Sequence, residues 1–172
     1  MEKYTTLLEE TLESWQGARN GVIEELANIP ELHWDFRPVK EVRSVRDLAI
    51  HILEVAMMMT GELTRADTNF HRAPWPELLE QHAAAAYKLK TKDEILDFLG
   101  KQLKEGIDRF RKTGELHMFQ LIQRFDGKLG TRLAWLHHGI DQEEYHRGQL
   151  TVYARLLKLE PALTKRIRGD AP

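Results

Sequence analysis

The chain has 172 residues, enough to enclose one core and too few for two well-formed ones, so a single domain over residues 1–172 is expected. Its 25 Lys and Arg against 27 Asp and Glu leave a formal charge of -2, which offers no field to a polyanion, so nucleic acid is not an expected partner. Cysteine is absent, which excludes disulfides, thiolate metal ligands and a cysteine nucleophile and fits a cytoplasmic location; no stretch approaches the roughly 20 apolar residues of a bilayer span, so no membrane partner is expected.

In chain order, Tyr4, Leu7, Leu8, Leu12, Trp15, Val22 and Leu26 recur at steps of three and four up to Pro30, which predicts one long amphipathic helix. The charged segment Met1 to Glu10 belongs to that pattern and contains no apolar signal core. After a loop with Phe36-Arg37-Pro38, Ser44 and Asp47 form a weak capping box ahead of Val45, Leu48, Ile52, Val55, Ala56, Met59 and Leu63, the second helix. Residues 66–76, with Asp67, Asn69, Pro74 and Pro76, predict a breaker-rich crossover, Pro76 opening a short helix that runs to about Lys88.

Thr91 and Glu94 form a better box for the third long helix, which carries Ile95, Phe98, Leu99, Leu103, Ile107 and Phe110 and stops at Thr113-Gly114. Residues 115–130 are less regular. Asp126-Gly127 and Gly130 mark turns, Phe119, Leu121, Ile122 and Phe125 are expected in a short helix over a bundle end, and no strand pattern is read. A last long helix is predicted from Thr131 to about Leu159, ended by Pro161, and the basic Lys165, Arg166 and Arg168 beyond it are read as a solvated end without a role. The expectation is an all-α fold, a four-helix bundle with a long crossover carrying a short extra helix.

On a wheel of about 100° per residue, the last helix places Trp135, His138, Gln142, His146, Gln149, Leu150, Tyr153 and Leu157 on one face, taken as the buried one. The middle of that stripe, His138, Gln142, His146 and Gln149, is polar where a simple core would use Leu or Ile. Each such group left unpaired inside costs roughly 1–3 kcal/mol, so something must bind them. His51, three residues after Leu48 and four before Val55, points toward the interior from the second helix and is expected to face His146. Two imidazoles plus one more donor a turn from His146 supply the three protein ligands of an open metal site. The competing reading makes each an ordinary hydrogen-bonded core histidine, and it is the expectation for His33, His71, His82, His117 and His137, none of which shares a face with another candidate ligand.

Tyr145-His146-Arg147-Gly148-Gln149-Leu150, the preceding Gly127 and Thr131-Arg132, and the earlier run from Arg43 through Ser44, Asp47 and Leu48 to His51 resemble the DinB-like (YfiT-like, DNA-damage-inducible) family in order and spacing over nearly the whole chain. The His-Arg-Gly-Gln string alone is moderately specific; with the Ser-x-x-Asp-Leu-x-x-His segment upstream the pair is a strong signal. The resemblance implies a four-helix bundle binding a divalent ion such as nickel or zinc through three histidines, one in helix two and two in the last helix four residues apart. His51 and His146 match two of those positions, and the third falls on Gln142, a departure from the pattern. An amide oxygen is a harder, weaker donor than imidazole, so affinity should fall and preference should move toward harder ions. Glu143 or His138 is a substitute ligand, with Gln149 and Tyr153 lining the pocket. Gly148 is read as a close approach of another helix, Arg147 as a source of ion pairs, and Tyr145 and Tyr153 as hydrogen-bond donors at the pocket.

The resemblance further implies a metal-dependent transferase that acts on a small molecule with a low-molecular-weight thiol, the sulfur supplied from outside because the chain has no cysteine. The alternative is a non-enzymatic, stress-related small-molecule-binding bundle with a degenerate metal site. A ferritin-like di-iron oxidase needs two Glu-x-x-His pairs, and Glu143-x-x-His146 is alone. Family bundles often form homodimers, and Trp34, Phe36, Trp75 and Met118 are the apolar residues expected at such a surface.

Overall fold

The computed structural model describes residues 5–169, so the predicted contribution of Tyr4 to the first helix lies outside the described residues. Four long helices form the bundle: α1 (Leu7–Asn28), α2 (Val45–Leu63), α4 (Lys92–Thr113) and α6 (Arg132–Leu156). Both capping boxes form. Ser44 accepts from the Asp47 N–H and Thr91 from the Glu94 N–H while each acid returns to its cap's backbone, and Thr6 and Thr131 cap α1 and α6 alone. Losing one such cap costs typically about 1 kcal/mol. α1 packs against α4 and α6, and α2 packs against the same two, so α1 and α2 face each other across the bundle diagonal. The crossover between α2 and α4 carries the short helix α3 (Trp75–Ala83), with Pro76 in its first turn, and then a 3-10 turn at Ala86–Lys88.

Three features differ from the sequence expectation. Residues 115–131 contain a single-turn helix, α5 (Glu115–Met118), followed by an antiparallel hairpin of β1 (Leu121–Gln123) and β2 (Leu129–Thr131), with Ile122 opposite Gly130. Gly127, at φ 77°, takes the left-handed turn position that favours glycine. α6 ends at Leu156, because Lys158 adopts φ 62°, a left-handed conformation that cannot continue a right-handed helix. The basic end is a helix, α7 (Ala162–Arg168), docked on α1: the Glu25 carboxylate accepts the N–H groups of Ala162 and Leu163, and Arg166 pairs with Glu24.

The core is divided in two. One apolar cluster joins Leu12, Trp15, Met59, Leu103, Phe110, Leu136 and Ile140; the other joins Val22, Leu26, Leu48, Ile52, Leu99, Leu150 and Ala154. Between them every long helix brings polar side chains to one level: Arg19 from α1, His51 and Glu54 from α2, Gln102 from α4, and Glu143 and His146 from α6. This polar waist holds the candidate site.

Candidate functional site

The rings of His51 and His146 meet edge to face at the waist, their centroids 4.9 Å apart. Each ring is oriented by a neighbour on its own helix. His51 Nδ1 lies 2.6 Å from Glu54 Oε1, and His146 Nδ1 lies 2.8 Å from Gln149 Oε1. Both partners are acceptors, which places the proton on Nδ1 and the lone pair on Nε2 in each neutral ring. His146 Nε2 is buried and has no hydrogen-bond partner. Burial, with His51 and Arg43 nearby, pushes the His146 imidazole below its usual range against the hydrogen bond that its Nδ1 donates to Gln149. Burial raises the Glu54 carboxyl, but hydrogen bonds from His51 and Tyr87 outweigh it and hold it below the usual carboxylate range. Tyr87 is in turn pushed up to about 12 by burial and its bond to Glu54.

Gln142 lies one turn before His146 on α6, and its Oε1 is likewise buried without a partner. The other buried unpartnered side-chain atoms among the described residues are guanidinium or indole N–H groups and the Thr60 hydroxyl, so Gln142 Oε1 and His146 Nε2 stand apart as acceptors that carry no proton of their own. No group of three or more His, Cys, Asp or Glu able to hold a metal ion occurs among the described residues.

Glu143, the expected substitute ligand, is fully engaged elsewhere. Its carboxylate accepts both Arg19 Nη2 and Trp15 Nε1 at 2.6 Å and Arg19 Nε at 2.7 Å, while Arg19 Nη1 reaches Gln102 Oε1 and the Leu99 carbonyl. Arg19 is 0% and Glu143 2% exposed. Sequence reasoning missed this network, although Arg19 lies four residues after Trp15 and three before Val22, on the apolar face of α1. It also rotates the wheel. The buried residues of α6 are Arg132, Leu133, Leu136, Ile140, Glu143, His146, Leu150, Tyr153 and Ala154, which leaves His138 exposed, its ring tilted against Trp135 at 4.5 Å.

Gln149 and Tyr153 line an open cleft of about 1010 Å³ between α6 and the loop before α2, together with Arg37, Lys40, Glu41, Arg43, Tyr145, Gly148 and Val152. Tyr153 donates its hydroxyl to the Arg43 carbonyl at 3.0 Å and packs edge-on against Phe36, which fixes the loop. Arg43 and Asp47 also border a smaller hollow of about 280 Å³ that reaches His51 and Glu54. The cleft thus reaches Gln149, the partner of His146, and the separate hollow reaches His51 and Glu54.

The close helix approach expected at Gly148 occurs elsewhere. A Cβ there meets nothing within 4 Å, whereas a Cβ on Gly21 of α1 would collide with the Arg147 guanidinium, which also pairs with Glu144. A mid-helix glycine costs about 0.5–1 kcal/mol relative to alanine, so packing inside the chain gives no reason for Gly148. Trp34 and Met118, expected at a dimer surface, are completely buried, while Phe36 is half-buried and Trp75 remains partly exposed. Of the remaining histidines, His71, His82, His117 and His137 each make one hydrogen bond, to the Arg124 carbonyl, Glu62, the Leu63 carbonyl and Thr11.

No described helix is long and apolar enough to cross a membrane. No curated protein sequence matches the chain. Among solved structures, a DinB-like protein, YjoA, from Bacillus subtilis is 19% identical at a TM-score of 0.65, covering 87% of this chain and 92% of its own. A DinB family member from Exiguobacterium sibiricum is 22% identical at 0.62, covering 90% and 95%. A mycothiol-dependent maleylpyruvate isomerase is 15% identical at 0.67; 84% of this chain aligns, with 61% of that longer one. At these identities the likeness is one of fold. The DinB family model matches residues 1–168, and the chain belongs to the DinB family.

Proposed function

We propose that the chain is a divalent-metal-binding enzyme that transfers a low-molecular-weight thiol onto an electrophilic small molecule, with His51, His146 and Gln142 as its metal ligands. The observation that carries this reading is the pair of buried, partnerless acceptors, His146 Nε2 and Gln142 Oε1, beside the His51 ring. Two imidazoles sharing a tetrahedral ion through nitrogens at 2.0–2.1 Å hold their ring centres roughly 5 Å apart, and 4.9 Å is the separation here. Glu54 and Gln149 keep protons on the two Nδ1 atoms and so leave the lone pair on each Nε2, the outer-shell arrangement that orients metal-binding imidazoles. A divalent ion held there would favour the thiolate of an external thiol, the nucleophile for S-transfer. Arg19 and Trp15 keep the Glu143 carboxylate out of the centre, so all three donors are neutral and the ion's charge is left for an anionic ligand. The thiol dependence is supported by the fold shared with a mycothiol-dependent enzyme.

A second reading, a metal-free small-molecule-binding bundle, is favoured by Gln142 in place of a third histidine and by the want of any cluster of three strong ligands among the described residues. The two part in one experiment. Protein reconstituted separately with nickel, zinc and manganese is analysed for bound ion and assayed with several thiols and 1-chloro-2,4-dinitrobenzene. The enzyme reading expects about one ion per chain and thioether formation with chloride release, both lost in His146→Ala. An ion content near zero after reconstitution supports the binding module instead.

A further inference from the structure

We infer that the cleft beside the imidazole pair binds a small organic anion with an apolar body, which lies over Gly148 and sets its charge against Arg43 and Lys40. The inference rests on the proposed reacting centre and names the class of molecule that reaches it. Gly148 is exposed on the cleft floor, one residue before the Gln149 that orients His146. Its missing side chain answers no contact within the chain and leaves open space on the cleft floor, where a ligand can lie against the α6 backbone. The walls are apolar, with Tyr145, 65% exposed, on one side of Gly148 and Val152, 52% exposed, on the other. Tyr145 also stands edge-on to His146 at 5.1 Å, which links that wall to the centre.

The rim is cationic. Of its three bases, Arg37 is paired with Asp47, whereas Arg43 and Lys40 are in no direct ion pair among the described residues; Arg43 lies in the field of Asp47 and Glu54, and the rim keeps a net positive charge over Glu41 and Asp47. Tyr153 clamps the Arg43 backbone, so this charge sits on an anchored part of the loop. An apolar segment beside a carboxylate is the form of an S-conjugate of a carboxylated thiol. The carboxylate can belong to the thiol or to its acceptor.

The test measures calorimetric binding of S-benzyl-N-acetylcysteine and of its carboxamide to the metal-free protein, so that its outcome is independent of whether the ligands hold an ion. The anion is expected to bind about fivefold more tightly than the amide, the scale of an exposed ion pair, and Arg43→Glu is expected to abolish the preference. Gly148→Leu should weaken binding by about tenfold, as overfilling a packed contact does, while Gly148→Ala raises the melting temperature by about 2–4 °C. Competition by N-acetylcysteine assigns the carboxylate to the thiol, and competition by phenylacetate assigns it to the acceptor. Equal affinity for anion and amide, or unchanged affinity in Gly148→Leu, overturns the inference, whatever elemental analysis says of the metal.

Discussion

Two buried polar centres lie one helical turn apart on α6, and they are built in opposite ways. At Glu143 both carboxylate oxygens are taken by Arg19 and Trp15, and Arg19 Nη1 donates to Gln102 and the Leu99 carbonyl. At His146 and Gln142 an acceptor on each residue faces the interior with nothing to bind. The first centre joins α1, α4 and α6 and is complete within the chain. The second, between α2 and α6, leaves one acceptor on each of two α6 residues without a partner in the chain. Buried polarity alone therefore does not mark a functional site; buried polarity left unsatisfied is what calls for an explanation.

That contrast breaks most sharply at Glu143. Replacing it with Leu strands the Arg19 charge inside the protein, and urea unfolding should register a loss of about 3–5 kcal/mol, much of it recovered by the double replacement Arg19→Met with Glu143→Leu. A loss below 1 kcal/mol in the single variant would place the network outside the stability of the fold.

A third centre extends the saturated class. Glu62 at the end of α2 is wholly buried and accepts from Arg72 and His82. Burial raises its carboxyl, but the bonds from Arg72 and His82 prevail and hold it below its ordinary 4.5. A depressed folded value means that the unfolded state takes up the proton first. The contribution of Glu62 is thus present above pH 4.5 and is lost as pH falls through the folded value. In Glu62→Gln the stability difference from the parent protein should shrink across that acid window, and a difference constant with pH would contradict the assignment.

The smallest effect belongs to the open centre. In metal-free protein His146→Leu deletes the partnerless Nε2 and one neutral hydrogen bond, from Nδ1 to the half-buried Gln149, and should leave stability within about 1 kcal/mol of the parent, in contrast to Glu143 three residues away. A cost as large as that of Glu143→Leu would mean that His146 is a structural residue like its neighbour.

The four long helices were legible because their apolar steps, both capping boxes and the Thr113-Gly114 stop agree with one another. The imidazole pair was legible because His51 sits among apolar neighbours at helical spacing and His146 lies in a polar belt, Gln142 to Gln149, set in a stripe with apolar ends. The hairpin was not: Leu121-Ile122-Gln123 is three residues long, with only Ile122 buried, too short for alternation to declare itself, although Asp126-Gly127 marked its turn. The inward face of α6 was misjudged for a different reason. A hydrophobic wheel scores Glu143 and Arg132 as outward, yet Glu143 is buried on Arg19, and Arg132 on the Leu63 carbonyl and Thr68. Burial by pairing leaves no trace in hydropathy. α7 was hidden in the same way, since its docking depends on Glu25, a buried acid within α1.

The central claim is that the open centre is finished by a cation. Crystals of the protein reconstituted with nickel or zinc, measured at the absorption edge of that ion, test it directly. The account predicts one anomalous peak per chain bounded by His51 Nε2, His146 Nε2 and Gln142 Oε1. Ion bound only at other residues, or no peak with both imidazoles ordered as they are here, would contradict it.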